Sequence, residues 1–333
     1  MRRATITGTG LHVPERVVPN AYFNDLYGQD VDGFLRAQRN IFERRYMADD
    51  EATSDLIVPA AQQALDEAGL RPDDLDLIVV ATDTPDYVSP SSSAVVQHKL
   101  GATNAGVFDL NTACAGFVTA LDVAAKFVAA DARYRAVLVV GAYGMSKYLD
   151  FDDYKIATLF ADGAGAVVVQ PTEDPNEGVV ASRLRAMGEY HDAMGIYAGG
   201  TFMPVTEEAI ARKDHLLRFV RKIPVEMNIG AWPVLIREVL GDIGKTPDDV
   251  ALYAFTQINI GAIRGALDAL GQPHDKAHLV MDRFGYTGSA AIAMVVADAA
   301  DQHKLKKGDL VLLVGSGGGV SMAAVALYWG YDT

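Results

Sequence analysis

The sequence predicts an α/β protein built from two similar halves, and three observations carry that expectation. The first is bulk composition: 333 residues, 50% hydrophobic and 22% charged, are enough for a sizeable buried core and correspond to about two domains of ordinary size. The second is internal repetition. Gly69-Leu-Arg-Pro-Asp-Asp-Leu-Asp-Leu-Ile-Val-Val-Ala is echoed by Gly244-Lys-Thr-Pro-Asp-Asp-Val-Ala-Leu-Tyr-Ala-Phe-Thr at an offset of 175 residues. Cys114-Ala-Gly-Phe-Val-Thr-Ala matches Tyr286-Thr-Gly-Ser-Ala-Ala-Ile at an offset of 172, and Val137-Leu-Val-Val-Gly matches Val311-Leu-Leu-Val-Gly at 174. The third observation is the alternation of short β-branched runs with longer helical patterns, the mark of strands buried on both faces by helices.

Taken in chain order, Ser54 to Ala68 reads as a helix with Ser54 as its cap. Leu77 to Ala81 and Gly106 to Leu110 read as strands, Gly116 to Ala130 as an Ala-rich helix, and Val137 to Val140 and Ala166 to Val169 as buried strands. Pro171 to Gly178, rich in Pro, Gly and acids, is the expected connector, which divides the chain into halves 1–172 and 173–333. The polar stretch from Arg183 to Glu226 is expected to cap a site. Trp232 to Leu240 and Ile260 to Leu270 read as helices, the second stopped by Gly271, and Val311 to Val314 reads as a strand.

Charge narrows the function. The chain carries 29 Lys and Arg against 43 Asp and Glu, a net charge of −14, which disfavours nucleic acid and anionic membrane surfaces as partners. The first 15 residues lack the apolar core of a signal peptide, and the sequence reads as having no apolar run of the roughly 18 residues needed to cross a bilayer, so a cytoplasmic protein is expected. The single cysteine, Cys114, excludes an internal disulfide and a Cys-rich zinc site. Asp162-Gly-Ala-Gly165 lacks the later glycine of a dinucleotide loop, so no nicotinamide cofactor is expected, and no metal either.

Cys114 follows a strand and stands at the head of a helix, where the positive end of the helix dipole favours a thiolate. Free cysteines, however, are among the most buried residues and usually act as small hydrophobes. Near the C-terminus, Gly315-Ser-Gly-Gly-Gly-Val320 follows another strand and offers backbone N–H groups without side-chain obstruction, as an oxyanion hole requires.

Asn111-Thr-Ala-Cys-Ala-Gly-Phe117, Leu159-Phe-Ala-Asp-Gly-Ala-Gly-Ala-Val-Val168, Asp282-Arg-Phe-Gly-Tyr-Thr-Gly-Ser-Ala290 and the Gly317 to Gly319 loop together resemble the β-ketoacyl-acyl-carrier-protein synthase III family of the thiolase superfamily. The resemblance runs from about residue 3 to 331. It implies a thiolase-like, five-layered αβαβα fold of two duplicated halves, a homodimer, and ping-pong chemistry without a cofactor. In that chemistry a cysteine takes an acyl group from coenzyme A or acyl carrier protein, and a decarboxylated malonyl thioester then attacks the acyl-enzyme. It assigns Cys114 as nucleophile and the N–H groups of Cys114 and Gly318 as the oxyanion hole.

The chain departs from the family where decarboxylation is assisted. Thr256 stands where the family has histidine, in Phe255-Thr-Gln-Ile-Asn259, and Tyr286 stands where it has asparagine. Threonine cannot act as a base near neutral pH, and a phenol supplies one donor. None of the seven histidines falls in either motif; His191 and His278 are candidates for a relocated base, and His274 with His278 has metal-like spacing in a turn. On the carrier side, Phe34 and Gln38 occupy the family's tryptophan and arginine that hold the coenzyme A nucleotide, Gln38 without charge. Asn259 and Arg264 complete the expected binding residues, Arg264 facing the carrier protein. Three readings remain open: β-ketoacyl-type condensation in fatty acid or polyketide-type metabolism, acyl transfer to an oxygen or nitrogen acceptor, and a non-catalytic partner subunit.

Overall fold

In the computed structural model, which describes residues 2–224 and 226–333, the β-branched runs become strands wherever two layers of helix can cover them. The first sheet has five strands in the order Arg3–His12, Asp162–Thr172, Val137–Gly144, Leu77–Ala81 and Gly106–Leu110. Leu77–Ala81 runs parallel to both of its neighbours, with Leu77 opposite Gly106 and Val137, and the other pairings are antiparallel. The second sheet orders Val250–Phe255, Leu310–Gly317, Ser321–Tyr328 and Gly178–Ala186. It repeats the first four strands of the other sheet in direction and connection. The fifth strand has shrunk there to a single parallel bridge between Tyr253 and Ala277.

The repeat recognised in sequence reappears as matched local structure. Pro72–Asp74 and Pro247–Asp249 are both single 3₁₀ turns closed by an aspartate, Asp74 and Asp249, that accepts from the backbone N–H three residues before it. Gly116–Ala130 and Ala291–Asp301 are both preceded by a 3₁₀ turn, Ala113–Ala115 and Gly288–Ala290. These two helices pack together between the sheets. Thr53–Ala68 and Ser92–Leu100 cover the outer face of the first sheet, and Met227–Asp242 and Ile260–Leu270 lie on the far side of the second, giving five layers, αβαβα. Burial on both sides explains the composition of the central helices: every residue of Ala291–Ala300 is buried.

Several boundaries differ from expectation. Ser54 is not the cap, because the helix begins at Thr53, and Asp55 closes the turn by accepting from Ala52 N–H at 2.9 Å. Ser54 instead donates to Asp86 at 2.5 Å. Ala166–Val169 is the middle of a strand that starts at Asp162, and Trp232–Leu240 is part of Met227–Asp242. Arg183 to Ala186 belongs to a sheet strand, so the cap starts at Met187. The helical stretch Ala113–Ala130 is, against expectation, apolar over 18 residues, enough to cross a bilayer by length and composition. Its apolar surface is taken up between the two sheets.

Candidate active site

The nucleophile stands on a turn that the neighbouring sequence forces. Asn111 Oδ1 accepts from Ala113 N–H at 2.9 Å, and Ala113 takes a left-handed φ of 48°, unusual for a residue with a Cβ. This turn sends Cys114 into the interface between the halves, where it is 4% exposed. The end of the Leu310–Gly317 strand meets it there. A Cβ on Gly317 would lie 2.5 Å from Cys114 N and 2.8 Å from Thr112 O, so only glycine allows this backbone-to-backbone approach. The approach brings Gly318 N–H beside Cys114 N–H, and both donate toward Cys114 Sγ.

Tyr286 arrives from the matching turn of the second half. Its N–H donates to Leu159 O at 3.0 Å and its carbonyl accepts from Ala161 N–H at 2.9 Å, fixing it by a backbone bridge. The preceding Gly285 has φ 67°, and a Cβ there would strike Arg44 Cβ at 2.7 Å. The Tyr286 ring lies 5.4 Å from that of Phe160, and its O–H donates to Cys114 Sγ. Burial, with Cys114 and Asp83 nearby, holds the phenol well above its ordinary range, so it remains a donor.

Cys114 itself differs from expectation. Burial, then the charge of Asp83, push the thiol up to about 12, against the weaker pull of Tyr286 and the two backbone N–H groups. The helix-terminus argument for a ready thiolate fails because desolvation of the charged form outweighs it. The thiol is therefore held in its neutral form at neutral pH.

Sequence reasoning missed Asp83. It follows the Leu77–Ala81 strand, which is hydrogen-bonded to the strand leading into Cys114. Thr82 and Thr84 pin it: Thr84 N–H donates to Thr82 Oγ1 at 3.0 Å and Gly144 N–H to Thr84 Oγ1 at 2.8 Å. Its position at the C-terminal end of a parallel strand, beside the nucleophile's strand, was the available signal.

The replaced residue Thr256 is buried but spent. Its Oγ1 accepts from Ser316 N–H at 3.0 Å and faces Ser316 O at 3.4 Å, tying two strands together. His278, considered as a relocated base, lies in another network: Nε2 meets Asp298 Oδ2 at 2.6 Å and Nδ1 meets Lys304 Nζ at 3.1 Å. Burial raises Asp298, but hydrogen bonds from His278 and Arg283 overcome this and hold it at about 2. His274 pairs with Asp268 at 2.8 Å, so it does not converge with His278 on a metal. His191 is exposed on the cap.

On the carrier side, Phe34 lines a cleft of about 460 Å³ with Val31, Arg39, Lys155, Thr158 and Leu159. Gln38 does not, because Leu35–Arg39 winds as a π turn. The wider turn brings Arg39 back over the Phe34 ring, at 5.7 Å, and so restores the positive charge. Leu159 joins this cleft to the site, since its carbonyl holds Tyr286. Asn259 caps a helix, accepting from Gly261 N–H at 2.9 Å, and is not in the cleft. Arg264 is exposed on that helix, which packs against the π turn. The cap covers the reacting groups: Met194 Cε would meet a Cβ on Gly318 at 3.3 Å, and Phe219 lies 6.3 Å from Phe160.

Comparison with known proteins gives one answer. Residues 108–188 match the model for 3-oxoacyl-[acyl-carrier-protein] synthase III, and residues 240–329 match the model for the C-terminal part of that enzyme. The chain is 35% identical over 326 residues to a β-ketoacyl-[acyl-carrier-protein] synthase III from Caldanaerobacter subterraneus subsp. tengcongensis, covering 98% of each. The crystal structure of 3-oxoacyl-[acyl-carrier-protein] synthase III from Aquifex aeolicus superposes with a TM-score of 0.88 at 32% identity, covering 98% of this chain and 100% of that one. The priming β-ketosynthase of the R1128 polyketide biosynthetic pathway superposes with a TM-score of 0.89 at 28% identity, covering 99% and 97%.

Proposed function

The chain belongs to the 3-oxoacyl-[acyl-carrier-protein] synthase III family, and from that premise we propose that it is a specialised acyltransferase that loads an acyl group onto Cys114 and passes it to a second substrate. One observation carries the reading: Cys114 Sγ lies beneath the N–H groups of Cys114 and Gly318 and accepts from Tyr286 O–H. The two N–H groups suit the tetrahedral oxyanion of thioester attack, and the phenol suits the departing or entering proton. The donor is acyl-coenzyme A or acyl carrier protein; Phe34, Arg39 and Lys155 present an aromatic face and two cations to a phosphorylated carrier. No cofactor takes part. The protein acts in the cytoplasm as a homodimer, in fatty acid or polyketide-type metabolism.

The second half-reaction is proposed as β-ketoacyl-type condensation with Tyr286 as a side-chain donor. Transfer to an oxygen or nitrogen acceptor is the second reading, favoured by Thr256, whose hydroxyl is engaged with Ser316 and takes no part in stabilising a malonyl carbanion. Intact-protein mass spectrometry of wild type and Cys114→Ala with a panel of acyl-coenzyme A and acyl-carrier-protein thioesters tests the loading step. An adduct on wild type alone supports it; no adduct with any donor overturns it in favour of a non-catalytic partner subunit. Malonyl thioester added to the loaded enzyme then separates the two acceptors, since only condensation releases carbon dioxide and a β-keto product.

A further inference from the structure

The reacting thiol lies within reach of the charge of Asp83, a carboxyl group on which no cation acts among the described residues. Asp83 lies just beyond the Leu77–Ala81 strand, whose end packs where the two central turns meet: a Cβ on Gly116 would lie 3.1 Å from Ala81 Cβ and 3.6 Å from Ser289 Cβ, and the Asp83 charge acts on Cys114, Tyr286 and Tyr143. Ser289 Oγ reaches it at 3.5 Å, but that hydroxyl lies closer to Ala142 O, at 2.6 Å, so the carboxylate is loosely held. The titratable groups facing it are Cys114 from the turn before the first central helix, Tyr286 from the second-half turn, and Tyr143 from the Val137–Gly144 strand. All three are protonated at neutral pH. Burial pushes Asp83 up to about 6, with hydrogen bonds from its own backbone and Ser289 pulling the other way.

We propose that Asp83 is the acid–base residue of the loading step: its carboxylate accepts the proton that Cys114 gives up as sulfur attacks the thioester carbonyl, and the resulting carboxylic acid protonates the thiolate of the departing carrier. One carbon–sulfur bond forms, one breaks, and the proton ends on the released thiol. The inference rests on the reading of Cys114 as the acylated residue. Its motive is a mismatch within the site. A carboxylate beside a buried thiol makes thiolate harder to form, so as a fixed charge Asp83 would only slow a reaction that depends on preformed thiolate. As a proton acceptor it removes the need for preformed thiolate, and its own proton affinity is tuned toward neutral pH, as general acid–base catalysis favours. His278, the buried histidine of the second half, is engaged with Asp298 and Lys304 and so does not serve this step.

The two roles predict opposite signs in one variant. Single-turnover loading is followed by quenched-flow mass spectrometry with the acyl-coenzyme A that gives the wild-type adduct, and direct alkylation of Cys114 is followed with iodoacetamide. If Asp83 is the acid–base residue, Asp83→Asn loads about 10² to 10³-fold more slowly, while iodoacetamide reacts several-fold faster because a repelling charge is gone. Asp83→Glu recovers part of the loading. The wild-type loading rate should rise through an inflection near pH 6 that Asp83→Asn lacks. Loading by Asp83→Asn at the wild-type rate or faster overturns the role of Asp83 and leaves the acyl-enzyme reading intact. Absence of any wild-type adduct overturns both. The wild-type pH profile needs no variant, so an inflection-free profile overturns the proposal even if the substitutions misfold.

Discussion

Two adjacent glycines at the site should respond to the same small change to very different degrees. Gly317 has φ −137° and ψ 176°, which alanine adopts without strain, so any effect of Gly317→Ala is steric. The added Cβ would sit 2.5 Å from Cys114 N, 2.8 Å from Thr112 O and 2.9 Å from Ala113 Cβ. Carbon needs about 3.4 Å from such atoms, so the strand end and the nucleophile turn must part by nearly 1 Å. Two of the three obstacles are backbone atoms, and one is the nitrogen of an oxyanion donor. Overpacking of this kind costs about 1–3 kcal/mol of stability, and misplacing one oxyanion donor costs about 10² to 10³ in rate. At Gly318 the tightest neighbour is Met194 Cε at 3.3 Å, the free end of a flexible side chain, and the next is 3.7 Å away. Gly318→Ala should therefore lose less than about tenfold in loading and about 0.5 kcal/mol or less in stability. Acyl-enzyme formation by intact mass under single-turnover conditions, with urea unfolding alongside, measures both. Equal loading by Gly317→Ala and wild type, or equal damage from both variants, would refute the close approach of strand and turn on which the oxyanion hole depends.

Other expectations follow from the ionisable groups. Asp83 holds its proton to about 6 in the folded chain against 3.8 in the unfolded one, so the folded state binds more protons between those values and loses stability as pH rises across the window. Asp83→Asn should accordingly gain up to about 3 kcal/mol over wild type at pH 7.5 and far less at pH 3.5, by chemical denaturation; a gain independent of pH would sink the argument. Asp298 is the opposite case, held at about 2, so its contribution is present above pH 4 and is lost as pH falls toward 2. Asp298→Asn should cost about 2–3 kcal/mol at pH 7, less than a fully buried pair because Arg283 is half-exposed, and should leave the rate of Cys114 loading within about twofold. Arg39→Ala should raise KM about tenfold for coenzyme A thioesters and leave it unchanged for short pantetheine thioesters that lack the nucleotide; equal effects on both would show that Arg39 does not meet the nucleotide.

The chain by itself determined the duplicated α/β plan, because the repeat at Gly69 and Gly244 and the apolar runs are local patterns whose burial follows from their period. It also determined the nucleophile and its glycine-lined partner, since a lone cysteine at a strand-to-helix junction and a Gly-rich strand end each carry their chemistry in their immediate neighbours. The tertiary structure decided what depends on distant residues. Asp83 carries no motif, and it meets Cys114 only because their strands pair side by side. Arg39 replaces the charge missing at Gln38 because one turn winds wide. His278 looked like a base until Asp298 and Lys304 occupied both ring nitrogens, and Thr256 looked like a donor until Ser316 claimed its hydroxyl. The thiol itself shows the limit most clearly. Its place at a helix head, visible in sequence, favours thiolate, whereas the two halves closing around it remove the water a charge needs, and desolvation of an ion in a dry interior exceeds what a helix terminus returns.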